Sequence, residues 1–335
     1  MAKYLIIDTA NMFFRARHVT SRYADSWEKI GYALHITFSS ISKVHRTFGA
    51  DHVVFALEGR SWRKDFYEPY KKNRAVARAA LTDAEAEEDA LFWETYDSFC
   101  TFLTEQSNVS TIQHKQAEAD DVIARWINMH PNDDHTIISS DSDFYQLIAP
   151  NVQQYNGISD TLITLEGMFN DKGKPIIDKK TNEPKEAPIP EWLLFEKCMR
   201  GDTSDNVFSA YPGVRKKGSK NKIGLLEAFA DKNDKGYNWN NLMLQRWTDH
   251  NGLEHRVLDD YRRNVHIIDL TAQPDDIKEK VDTAIKEQVN CTDKGQVGVR
   301  FLKFCGKYDL NKLSEYPDNC VKWLNPTYKG EITNA

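Results

Sequence analysis

The sequence predicts an α/β protein with a mostly parallel sheet, followed by a helical second half, and three observations carry that prediction. Short apolar runs each stop at polar or acidic residues, helix-like segments lie between them, and the strand signal fades past a Pro- and Lys-rich stretch near the middle. The runs are Tyr4 to Ile7, His52 to Leu57, Val109 to Ile112 and Thr136 to Ile138. Between the first two, Ile30, Leu34, Phe38, Ile41 and Val44 recur at three-to-four spacing, as on a helix packed against a sheet. Asp143 to Ile148 reads as a short helix and Val152 to Tyr155 as a further strand. Residues 166–190, rich in Pro, Gly, Asn and Lys, read as a loop or hairpin excursion marking a domain boundary. Beyond it, Glu191 to Arg200, Ile223 to Phe229, Leu242 to Trp247 and Val257 to Asn264 read as helices. The expected division is therefore 1–165, an excursion at 166–190, and a helical domain at 191–335 on which the Gln296 to Leu313 segment packs.

Composition narrows the function classes. The 335 residues suffice for two domains, and 40% hydrophobic with 28% charged content is that of a folded globular chain. A net charge of −6 argues against a uniformly basic nucleic-acid coat. Five cysteines with no CxxC pair argue against a disulfide framework and a thiolate zinc site. No signal-peptide core and no run near the ~18 apolar residues of a membrane span are present, so a reduced, intracellular chain is expected.

Acids gather where the strands end. Asp8 closes the first run and Glu58 follows the second; the third leads into QAEADDVIA, with Glu118, Asp120 and Asp121. The fourth ends in IISSDSD, with Asp141 and Asp143, and the helical half opens with RGDTSDN, with Asp202 and Asp205. Taken singly, EADD reads as charge on a helix N-terminus, DSD as a cap and GDTSDN as an Asx-turn. Ligands of open α/β sheets meet the carboxyl ends of the strands, so the recurrence of acids there points to a joint site. Carboxylates crowded into one cleft repel unless cations compensate them, and oxygen-only donors suit hard Mg²⁺ or Mn²⁺. Two such ions serve phosphodiester hydrolysis.

Two basic segments complete the pattern. Residues 60–78, RSWRKDFYEPYKKNRAVAR, carry Arg60, Arg63, Lys64, Lys71, Lys72, Arg74 and Arg78, interleaved with Trp62, Phe66, Tyr67 and Tyr70. Bases attract phosphate and aromatic faces stack on unpaired nucleobases, although a solvated amphipathic helix has the same pattern. GVRKKGSKNK supplies Arg215, Lys216, Lys217, Lys220 and Lys222 in a glycine-bearing turn before a helix, suited to the backbone of a duplex or to a plain surface loop. The acidic run Asp83 to Asp89 reads as a solvated helix start.

IIDTAN, WRKDF…YKKNR, EADDVIA, IISSDSDFYQL and RGDTSDNV, in that order, resemble the phage branch of the flap endonuclease, or 5′-nuclease, family. The resemblance implies a PIN-like domain, a helical arch at about 60–95 and a helix–turn–helix type duplex clamp. It implies 5′→3′ exonuclease and flap endonuclease cleavage with two Mg²⁺, removing RNA primers and 5′ flaps. By the same resemblance, Asp8, Glu58, Glu118 and Asp120 favour one ion, and Asp141, Asp143, Asp202 and Asp205 the other, with Asp121 bridging through water. Lys71 and Arg74 match the catalytic bases of the arch, and Tyr70 would stack on a nucleobase. Partners so implied are branched DNA with a 5′ single strand, RNA–DNA hybrids, and a single-strand binding protein or sliding clamp, with a monomer acting in the cytoplasm of a phage-infected host. Two departures stand out: Glu58 is one methylene longer than the family's aspartate, and PGVRKKGSKNKIG is more basic than the family's clamp turn, which leaves a potassium site there open. Competing readings are a catalytically silent junction-binding protein and a metal-dependent phosphatase or nucleotidase.

Overall fold

The computed structural model describes residues 1–20, 25–212, 224–249 and 251–333. The apolar runs become β1 (Lys3–Asp8), β2 (His52–Ala56), β3 (Ser110–Ile112) and β4 (Asp134–Ile138), joined by β5 (Val152–Asn156), β6 (Thr161–Thr164) and β7 (Gly167–Asn170). They form one seven-stranded sheet in the order β3-β2-β1-β4-β5-β6-β7. The first five strands are parallel and the last two antiparallel, which makes the α/β fold with a mostly parallel sheet. β1 to β4 are buried along nearly their whole length, which is why they read as continuous apolar runs rather than alternating ones. Register then fixes the site's floor. Ile7 lies beside both Phe55 and Ile138, and Ala56 lies beside both Asp8 and Ile112, so four strands end level and release the chain on one edge.

The flanking helices follow their local signals. Ser26–Phe48 begins at Asp25, whose side chain accepts the Glu28 amide, and ends at Gly49 with φ 60°, a left-handed stop that favours glycine. Its buried residues include Ile30, Leu34, Phe38, Ile41 and Val44, the predicted stripe. Asp83–Gln106 begins with a reciprocal capping box between Thr82 and Glu85, so the acidic run is a helix start, exposed at Asp83, Glu85 and Glu87, while the half-buried Glu88 and Asp89 pair with Lys29 and Arg17.

Two compact units emerge, and their boundaries differ from the sequence division. The first comprises Met1–Ser61, Leu81–Pro188 and Pro274–Ala335; the second comprises Trp62–Ala80 and Ile189–Gln273. The expected helical domain 191–335 thus loses Pro274–Ala335, and the 60–95 stretch is divided at Leu81. The reason is packing. Phe301 and Phe304, on the helix Val297–Lys307, join the sheet unit's core, with Phe301 5.2 Å from Phe38 and Phe304 4.6 Å from Phe102 between ring centroids. Arg125 also grips Asp282 through two hydrogen bonds of 2.7 and 2.6 Å. Burial of the Phe301 ring at 0% exposure sets the expected cost of Phe301→Ala at about 3–5 kcal/mol. Urea unfolding measures it, and a loss below ~1 kcal/mol would contradict a core position.

The second unit gathers the helices Pro190–Arg200, Leu225–Ala230, Tyr237–Met243 and Val257–Ile268 around Phe195, Met199, Leu225 and Trp239. Leu242 to Trp247 is not a helix of its own. The helix ends at Met243, and β8 (Arg246–Thr248) pairs with β9 (Glu254–Arg256) across a turn in which the Asp249 carboxylate accepts the Asn251 and Leu253 amides. The 166–190 excursion is partly strand: β6 and β7 form a hairpin, extended by bridges from Phe169 to Pro175 and from Ile177 to Pro184.

Candidate active site

In the sheet unit, the expected acids close or follow strands, and Asp8, Glu58, Glu118, Asp121 and Asp141 accept neutral donors. Asp8, 5% exposed, accepts the Ser139 hydroxyl at 2.8 Å and the Asn11 amide at 3.2 Å. Ser139 Oγ in turn accepts the Asp141 amide at 3.0 Å, tying the end of β1 to the loop after β4. Glu118 accepts the Ser61 hydroxyl at 2.8 Å and caps the helix Ala119–Met129 in a reciprocal box with Asp121, whose carboxylate accepts the Glu118 amide at 3.0 Å. Glu58 reaches the same helix start, where Ala119 N–H donates to Oε2 at 3.4 Å. A side chain at the next residue, Gly59, would place its Cβ 2.1 Å from the His114 carbonyl, so only glycine brings the two segments this close. Asp141 is exposed, with Oδ1 accepting the Asp143 amide at 2.9 Å; Asp120 and Asp143 are half-buried.

The acids share a field. The buried Tyr96 phenol is pushed far above its ordinary pKa, first by burial, then by Cys100, and then by the charges of Glu58 and Asp8. Two carboxylates from neighbouring strands therefore act on one hydroxyl. The closed cluster expected from sequence is not formed: among the described residues, no three carboxylate, imidazole or thiol groups surround one point. The donor set still fits a hard divalent ion, because hydroxyls and amides orient these carboxylates without neutralising their charge, and Mg²⁺ keeps waters and binds through one or two carboxylates plus phosphate. No helix among the described residues is long and apolar enough to cross a membrane.

Asp202 and Asp205 belong to the second unit, on a loop closed by reciprocal bonds between the backbones of Asp202 and Val207. Gly201, at φ 74°, makes that closure possible, since a Cβ there would meet the Val207 carbonyl at 2.3 Å. Burial raises the Asp202 pKa, but Lys197 at 2.9 Å and the bonds from Ser204 outweigh it and hold the carboxyl below its usual range. Asp205 collects cations of the 60–78 segment. Arg74 Nη2 lies 2.7 Å from Oδ1, Lys71 Nζ 3.6 Å from Oδ2, and Tyr70 donates its hydroxyl to Oδ2 at 2.9 Å.

Two sequence expectations are corrected here. Tyr70 does not present its ring to solvent: it is 5% exposed and packs with Cys198, Val207, Ile267 and Ile268. Arg63 is not a surface phosphate contact: it is 1% exposed, its Nε donates to the Ile267 carbonyl at 2.7 Å, and its guanidinium covers Trp62 at 4.6 Å. Both residues lie in the segment that folds into the second unit, where apolar cover and an open carbonyl consume them. Arg60, Lys64, Lys72, Arg74 and Arg78 are exposed, and Lys72 pairs with Glu68. Arg215, Lys216, Lys217, Lys220 and Lys222, with the expected clamp turn, lie outside the described residues. Sequence reasoning missed the orienting residues Asn11, Ser61 and Ser139; Ser139 stands two residues before Asp141 within IISSDSD, the one signal that could have singled it out.

The chain's similarities agree with this geometry. The family described as "5′-3′ exonuclease, N-terminal resolvase-like domain" matches residues 3–173. The chain is 30% identical over 181 residues to DNA polymerase I of Rhizobium leguminosarum, covering 53% of this chain but 15% of that protein. It is 27% identical over 233 residues to flap endonuclease Xni of Shewanella piezotolerans, covering 68% of this chain and 78% of that one. Ribonuclease H of Enterobacteria phage T4 is 26% identical over 277 residues, covering 76% and 77%. In structure, the T5 5′-exonuclease with bound zinc ions superposes with a TM-score of 0.58 at 18% identity, over 85% of this chain and 99% of that one. The T5 flap endonuclease in complex with DNA and metal ions gives 0.56 at 19%, over 85% and 98%; both share the fold.

Proposed function

We propose, because this chain belongs to the 5′-3′ exonuclease family, that it is a Mg²⁺-dependent structure-specific nuclease of branched DNA. It trims 5′ ends and flaps, degrades RNA in RNA–DNA hybrids, and removes primers and flaps during phage DNA replication. One observation supports the reading: β1 to β4 run parallel and end in register on one edge, with Asp8 closing β1 and Glu58, Glu118 and Asp141 following β2, β3 and β4 in the chain. A likeness to a flap endonuclease and a phage ribonuclease H, over about three quarters of each, supports the choice of substrate.

Asp8, Glu58, Glu118 and Asp120 are the candidates to hold a divalent ion, one or two of them directly and the others through its waters, with Asp121 beside them. Such an ion supplies positive charge to phosphoryl oxygens and acidifies water at neutral pH. The protein's own part is orientation and charge. Ser139 and Asn11 fix both oxygens of Asp8, and Ser61 fixes Glu118, so these acids need little reorganisation when a phosphate arrives. Asp141 and Asp143 in the sheet unit, and Asp202 and Asp205 in the second unit, are further candidate metal ligands, and two ions are expected. Lys71 and Arg74 carry the cations that would offset charge on the scissile phosphate, and Arg60, Lys64, Lys72 and Arg78 would hold the strand electrostatically.

A 5′-flap oligonucleotide incubated with Mg²⁺ and then with EDTA is the test. The expected result is a cut strand bearing a 5′-phosphate, with cleavage abolished by the chelator and restored by Mn²⁺. Tight binding without cutting would instead make this a junction-binding protein, and phosphate release from mononucleotides would make it a nucleotidase.

A further inference from the structure

Burial of Tyr70 withdraws the base-stacking ring expected from sequence, and another ring of the second unit stands exposed. Phe208 is 58% exposed, three residues beyond Asp205. An exposed apolar side chain is ordinary by itself. Here its backbone is pinned: the carbonyl accepts Asn264 Nδ2 at 2.8 Å and Arg263 Nη2 at 3.3 Å, and the amide reaches the Tyr67 hydroxyl at 3.4 Å. Asn264, 0% exposed, also bonds the Cys198 carbonyl at 2.8 Å, so the anchor runs into the core of the unit. Tyr67 meets Phe208 edge to face at 6.4 Å, and the Arg263 guanidinium covers Tyr67 at 5.2 Å. A solvent-facing ring on a pinned loop, backed by a second ring, has the flat apolar face that an unpaired nucleobase requires, and Arg263, ion-paired with Asp260, braces the Tyr67 ring behind it.

We infer that Phe208, supported by Tyr67 and Arg263, stacks on an unpaired nucleobase of the substrate's single strand. The inference rests on the nuclease reading above and adds a binding residue to it. Binding to a 5′-flap oligonucleotide is measured by fluorescence anisotropy in Ca²⁺, with single abasic nucleotides walked along the flap. Phe208→Ala is expected to weaken binding about tenfold, within the range for loss of one stacked base, and Phe208→Trp to restore it. One abasic position should weaken the wild-type chain by the same factor and leave Phe208→Ala unaffected, while a blunt duplex responds to neither change. If abasic losses and Phe208→Ala multiply at every position, or Trp fails to rescue, the ring touches no base and the inference falls. A wild-type chain that binds flaps no better than blunt duplex would sink the nuclease reading itself, a result distinct from a defect confined to the variant.

Discussion

Asp141→Asn is expected to lower the rate of 5′-flap cleavage by about 10²–10³-fold or more, the size of effect that follows removal of one preorganised charge-stabilising group. Substrate affinity and stability should hold. Asp141 is exposed, and its structural duty is to accept the Asp143 amide at the start of the turn Ser142–Leu147, which an asparagine oxygen also does. Its backbone is held independently, since Gln154 Nε2 donates to the Asp141 carbonyl at 2.7 Å. The substitution therefore removes one negative charge and little else, and stability should move by no more than ~0.5 kcal/mol. Initial rates over a Mg²⁺ titration separate the contributions: a fall in kcat with unchanged flap binding fits a metal-ligating acid, and the cation requirement should rise. Wild-type turnover at limiting Mg²⁺ would remove Asp141 from the site.

Mild acid is expected to destabilise the sheet unit by about 3 kcal/mol for each of two histidines. His52, 3% exposed, shares Nε2 with Ser110 Oγ at 2.9 Å and Nδ1 with the Pro326 carbonyl at 3.2 Å. Burial lowers its pKa to about 4, and burial does the same to His135. In the unfolded chain both return to ~6.5, so between these values the unfolded state binds more protons. The stability contribution is therefore complete above pH ~6.5 and is lost as pH falls toward 4, each pKa unit being worth ~1.4 kcal/mol. Urea unfolding at several pH values between 7 and 4.5 should show this slope, and His52→Gln should remove about one proton's share of it. An unchanged slope in that variant would clear His52. His130 lies close enough to depress both titrations further, so the two losses need not add.

The strands and their acids were legible because both signals are local. Runs such as Leu5 to Ile7 and Val53 to Ala56 are apolar throughout because each strand is covered on both faces, and acids immediately after them must emerge at the strand end. The stripe Ile30 to Val44 was legible for the same reason, whereas the caps at Asp25, Gly49 and Thr82 that limit the helices emerged with the structure. Register was not written in any one strand, and it is register that makes Asp8, Ala56 and Ile112 level. Fates of amphipathic residues were equally invisible: Arg63 and Phe66 stand three apart in one basic-aromatic stretch, yet one is 1% and the other 50% exposed.

By itself, then, the sequence determined an α/β sheet edge furnished with oxygen donors, because strand periodicity and the position of an acid relative to its strand are properties of a few consecutive residues. Tertiary structure alone decided that Pro274–Ala335 packs with the sheet, that Trp62–Ala80 joins the second unit, and that Tyr70 holds Asp205 through its hydroxyl while its ring is buried. An apolar stripe announces that a face will be covered, but the covering surface is chosen by the shape and area that distant segments offer, and no local pattern encodes that.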